Sequence, residues 1–88
     1  MRTLDRGITV LCVFEAGSPP IPRKFKIKYR NGTVKTVTVD RIRYIENNLP
    51  SGLHNFVYHC QSEVEERLIE YELKYLVKEM KWLLYRVE

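Results

Sequence analysis

Residues 23–30, RKFKIKYR, alternate without a break. Lys24, Lys26, Lys28 and Arg30 fall on one parity, Phe25, Ile27 and Tyr29 on the other. A period of two is that of a β-strand with one wet and one dry face. Asn31-Gly32 follows, a strong hairpin signal, and TVKTVTV completes the pair. The loop length decides which faces meet. A two-residue loop, Asn31-Gly32, pairs Tyr29 with Val34 and puts Val37 and Val39 on the lysine face. A three-residue loop, Arg30 to Gly32, pairs Tyr29 with Thr33 and Phe25 with Val37. Apolar then meets apolar, Lys24 and Lys26 face Thr38 and Thr36, and only Val34 is wetted. A slip of one residue turns a whole strand over, so burial selects the longer loop.

The same pattern marks further elements. GITVLCVFE, residues 7–15, alternates Ile8, Val10, Cys12 and Phe14 against Thr9, Leu11 and Val13 and predicts a strand. AGSPPIP, residues 16–22, is a loop, because its three prolines remove backbone donors. After Val39 the phase breaks: Val37 and Val39 are odd, Ile42 and Tyr44 even. A bulge or bend near Asp40-Arg41, as at a barrel corner, reconciles them. ENNLPSG, residues 46–52, predicts an exposed loop, and HNFVYHCQ, residues 54–61, a strand with Phe56, Tyr58 and Cys60 on one face.

The last third supports two readings. RLIEYELKYLV alternates Ile69, Tyr71, Leu73, Tyr75 and Val77 against Glu70, Glu72, Lys74 and Leu76. Val64, Leu68, Tyr71, Tyr75, Leu76, Met80, Leu83 and Val87 also fit helical spacing, and Ser62 with Glu65 matches a capping box. The tyrosines, the aromatic KWLLYRV and the length such a helix would need favour two strands joined by a turn near Lys78 to Met80. The expected fold is therefore mainly β: a small antiparallel barrel or bent meander of about six strands in one domain. The alternative is the same sheet with a C-terminal helix over about 62–87.

YHCQS, IEYELKY and KWLLYRV, with the earlier IPRKFK, resemble segments of a family of small bacterial β-domain proteins. These end on an aromatic strand and a W-x-L-Y strand. The resemblance implies a β fold and no activity. Family members place a turn residue such as Gly between the paired strands, where this chain has Glu65 to Arg67 and Lys78 to Met80.

Composition narrows the function classes. A chain of 88 residues with 44% hydrophobic and 30% charged residues is too apolar for disorder. ITVLCVF falls far short of the ~20 residues of a spanning helix. With no leader evident, no membrane association and a cytoplasmic location are expected. Cys12 and Cys60 are expected as buried free thiols. No metal or other cofactor is expected: His59 and Cys60 are neighbours pointing to opposite faces of a strand, and no ligand spacing joins Cys12, His54, His59 and Cys60. Glu63, Glu65, Glu66, Glu70 and Glu72 read as a solvated face, and Asp40 as a turn-capping side chain. No phosphate loop or nucleophile motif is present, so no enzyme and no small-molecule ligand is expected.

Two binding classes remain. The net charge of +4 divides unevenly: residues 1–44 carry +7 and residues 45–88 carry −3. Six tyrosines and one tryptophan exceed what a small core easily hides. Such rings anchor interfaces. The leading expectation is a non-enzymatic binding or assembly module using Tyr71, Tyr75, Trp82 and Tyr85, with a protein partner or a second copy. The alternative is a nucleic-acid-binding barrel using Lys24, Lys26, Lys28, Arg30, Arg41 and Arg43. Its weak point is that Phe25, Ile27 and Tyr29 face away from the lysines and cannot serve as stacking platforms.

Overall fold

The computed structural model describes residues 1–49 and 52–88. Seven strands form one antiparallel sheet: β1 (Arg2–Val13), β2 (Ile21–Lys28), β3 (Val34–Thr38), β4 (Arg41–Asn48), β5 (Asn55–Val64), β6 (Arg67–Leu76) and β7 (Lys81–Val87). Their spatial order is β3-β2-β1-β7-β6-β5-β4. β3 and β4 are separated by two residues, yet they are the two edges of the sheet. Two residues can join those edges only if the sheet curls, which brings β3 against β5, and the result is a half-barrel with its aromatic core inside. The C-terminal third is strand and hairpin, and no helix occurs among the described residues.

The corner at Val39-Asp40 is where the odd and even phases are reconciled. Ser62, fully buried on β5, holds it. Its Oγ donates to the Thr38 carbonyl at 2.6 Å and accepts from Asp40 N at 3.4 Å. The Tyr71 hydroxyl lies 2.5 Å away and donates to the same oxygen, whose own proton is engaged. Asp40 Oδ2 accepts from Glu63 N at 2.7 Å. Asp40 thus caps backbone, as its type suggests, but across strands and not within its own turn. The break splits one expected bent strand into β3 and β4, which is why there are seven strands and not six.

Odd residues of β6 and even residues of β5 line the interior: Tyr58, Cys60, Tyr71, Leu73 and Tyr75, with Phe25, Val37, Trp82 and Leu84 from β2, β3 and β7. The Tyr58 hydroxyl donates to the Pro20 carbonyl and so ties the proline loop to the barrel end. In the β2–β3 hairpin Phe25 pairs with Val37 and Lys24 with Thr38, the register of the three-residue loop. Gly32 takes a φ of 87°, the left-handed conformation that such a loop demands of its last residue. The β5–β6 turn is tighter. Glu65 and Glu66 are both left-handed, at φ 51° and 64°, without the glycine that relieves such turns.

Several local expectations need correction. β2 begins at Ile21, so the last two residues of the predicted 16–22 loop are strand and pair with β1, Ile21 with Val13 and Pro22 with Cys12. β1 begins at Arg2, because Arg2 and Thr3 pair with Val87 and Arg86 across a bulge at residues 4–5, where Asp5 has a φ of 47°. β4 runs to Asn48, so residues 46–48 of the predicted loop are strand; Pro50 and Ser51 lie outside the described residues. Bulges also re-aim side chains. One between Ile42 and Tyr44 sends Tyr44 outward while Ile45 joins Ile42 at the core. Another opposite Glu72/Leu73 returns Val87 to the face of Trp82 and Leu84, away from Leu83.

Candidate nucleic-acid interface

The outer surface of β1, β2 and β3 carries the lysine row. Lys24, Lys26 and Lys28 are exposed at alternate positions, so their stems leave the strand about 7 Å apart. Their cross-strand neighbours are neutral: Leu11 and Thr38 beside Lys24, Thr9 and Thr36 beside Lys26, Val34 beside Lys28. Among the described residues no ion pair engages any of the three. The β6 glutamates that share their chain are committed elsewhere. Glu70 accepts from Arg43 at 3.1 Å and from Gln61 at 3.0 Å, and Glu72 faces His59 and Arg86.

The other expected cations are scattered. Arg30 lies at the exposed tip of the β2–β3 loop. Arg41 opens β4, three residues past Thr38, the partner of Lys24, and is exposed. Arg43 is tied to Glu70. Two cations that sequence reading left out, Arg6 and Lys81, come to the lysine flank instead. Arg6 Nη2 donates to the Lys28 carbonyl at 2.8 Å, across 22 residues of chain. Lys81 stands beside Trp82, which pairs with Ile8. No local pattern announces either residue, since only the β1–β7 pairing brings them there.

The expected protein-contact rings do not form a surface. Tyr71, Tyr75 and Trp82 are 3%, 7% and 7% exposed, and they pack with Phe25, Tyr58 and one another. A curled sheet has an inside, and these rings fill it. Tyr85 alone stays on the outer surface, half-buried, with Lys74 Nζ 3.7 Å above its ring.

The outer surface of β4–β7 is also polar, and there several charges pair with one another. His59 Nε2 lies 3.0 Å from Glu46 and Nδ1 lies 3.4 Å from Glu72, while Tyr44 stacks on the imidazole at 4.0 Å. Glu72 is nearly buried and has Arg86 Nη1 at 3.7 Å. A groove of about 560 Å³ runs over this network. Lys35, on β3, is bound by Glu65 at 2.9 Å. That hydrogen bond and the lysine charge hold the Glu65 carboxyl below the usual carboxylate range.

Inside, burial pushes the Cys60 thiol up to about 12, with the Glu72 charge adding to it, and raises the phenols of Tyr58 and Tyr71 well above their ordinary range. Cys60 is therefore a protonated core residue at neutral pH and a poor nucleophile. Both cysteines are free, but only Cys60 is buried; Cys12 is half-buried.

No protein-family model, curated protein or solved structure matches this chain.

Proposed function

We propose that the protein binds nucleic acid through the outer surface of β1–β3, holding the phosphate backbone with Lys24, Lys26 and Lys28. One observation carries this reading: three exposed, evenly spaced cations with only neutral residues across from them. A row of lysines that merely keeps a sheet soluble is usually interleaved with acids or paired with them, as Arg43 and Arg86 are on β4 and β7. Here like charges stand about 7 Å apart with nothing to offset their repulsion, a spacing close to the phosphate repeat of an extended strand.

Exposed stacking rings are not interleaved with the lysines. The expected mode is therefore backbone contact with little sequence preference, and strongly salt-dependent. The reading of the molecule as a protein-contact module is weaker, because three of its four proposed anchors form the core. Tyr85 and the exposed Leu11 and Phe14 remain for it.

The test is fluorescence anisotropy of a labelled single-stranded oligonucleotide from 20 mM to 200 mM salt. The expected log–log salt slope is about −2, from three neutralised phosphates at ~0.7 each. Replacing Lys24, Lys26 and Lys28 together by Gln should weaken binding at least tenfold. No binding at low salt, or binding unchanged when all three are made Glu, would overturn the proposal.

A further inference from the structure

β1 and β2 pair from Val13↔Ile21 to Thr9↔Lys26, and there the pairing stops. Beyond that point β1 continues along β7, through Ile8↔Trp82, Gly7↔Leu83 and Arg6↔Leu84, while β2 continues along β3 through Ile27↔Lys35 and Lys28↔Val34. The two strands splay. The opening is a cleft of about 440 Å³, within the size range of small-ligand sites. Its charged lining is Arg6, Lys26, Lys28 and Lys81, with no acid, and Ile8, Ile27 and Trp82 are among its apolar walls.

Gly7 lines the same cleft. It shares the outward parity of Thr9 and Leu11, and a Cβ built on it would meet nothing within 4 Å. Its backbone is not left-handed, unlike that of Gly17, Gly32 and Gly52. Backbone conformation therefore does not require glycine here. What the missing side chain leaves is open space in a cleft ringed by four cations.

We infer that this cleft holds one phosphate of the bound strand, as an anchoring subsite at the Lys28 end of the lysine row. The inference rests on the nucleic-acid reading above and adds to it Arg6, Lys81 and the space over Gly7. An anion in the cleft relieves the mutual repulsion of four cations that no acid in its lining offsets. It is also partly shielded from water by the apolar walls, where a charge-assisted contact is stronger than on the open lysine row.

Trp82, the sole tryptophan of the chain, lines the cleft and reports on it. Adenosine 5′-monophosphate should change Trp82 emission in the millimolar range, and adenosine should not. Gly7→Val should remove that response, weaken oligonucleotide binding about threefold to tenfold, and leave the unfolding midpoint unchanged or higher. Lys81→Gln should act the same way on binding, whereas Lys24→Gln should weaken oligonucleotide binding and leave the monophosphate response intact. A protein that binds oligonucleotide while the monophosphate leaves Trp82 emission unmoved, or adenosine moves it equally, overturns the subsite and leaves the lysine row standing. A protein that binds no oligonucleotide overturns the reading beneath it.

Discussion

The two outer surfaces of this sheet are built from the same residue classes and use them differently. On β4–β7 a group of charges pair with one another: Arg43 with Glu70, His59 between Glu46 and Glu72, Arg86 beside Glu72, while Arg41, Arg67 and Lys81 form no ion pair among the described residues. On β1–β3 the cations Lys24, Lys26 and Lys28 have only threonine, leucine and valine opposite them. The first surface is paired in part, with Arg86 Nε left buried and unpartnered among the described residues, and the second is left with a field that an external anion can complete. A polar residue's abundance therefore says less about binding than whether its partner lies in the same chain.

That contrast can be broken by experiment. The largest effect belongs to the core beneath the partly paired half. Trp82→Ala should cost about 3–5 kcal/mol in denaturant unfolding, because a buried ring contacting Tyr58 and Tyr75 leaves a cavity. A cost near zero would mean that Trp82 is available for contact after all. Ser62→Ala comes next. It strands the Thr38 carbonyl and the Tyr71 hydroxyl at the corner, and about 1–3 kcal/mol should be lost. A neutral result would show that the two halves are not held together there.

The alkaline limb of stability also belongs to β5 and β6. The native Cys60 thiol is raised from its ordinary value of about 9 to about 12. A group raised in the native state contributes fully below its unfolded value, and the contribution is lost as pH climbs toward the native one. By pH 10 the loss should be about 1 kcal/mol, and Cys60→Ala should flatten that part of the profile while lowering stability at neutral pH. A profile unaffected by the substitution would place the titration elsewhere. The smallest effect falls on the other half. Replacing Lys24, Lys26 and Lys28 by Gln should move stability by less than ~0.5 kcal/mol per site, or raise it by relieving repulsion, while binding falls. A large destabilisation would make the lysines structural and dissolve the contrast.

Much of this was legible in the alternation itself. Phe25 must meet Val37 if both are to be dry, and that one requirement gives the hairpin register, the three-residue loop and the outward lysines. The breaks in phase were legible as breaks, but not their consequences. Ile42 and Tyr44 share a parity in the chain and point opposite ways in the fold, because the bulge between them depends on how β4 pairs with β5. The interface rings were misread for a related reason. Tyr71, Tyr75 and Trp82 look surplus when counted against a flat sheet, and only the curl of seven strands creates an interior large enough for them. The Glu65-Glu66 turn lacks the glycine or asparagine that marks such turns, and its two left-handed glutamates are held between the pairs Val64↔Arg67 and Glu63↔Leu68.

By itself, then, the sequence determined where most of the strands lie, the β2–β3 hairpin register and which side chains of β2 face water. Period and burial are local properties, and a one-residue slip costs an entire face. Tertiary structure alone decided that β1 lies beside β7. Through that pairing it set the meeting of Arg6 and Lys81 with the lysine row, the cleft over Gly7 and the isolation of the row from every glutamate of β6. Those outcomes depend on contacts between residues more than 70 positions apart, such as Ile8 with Trp82, and no window along the chain contains both partners.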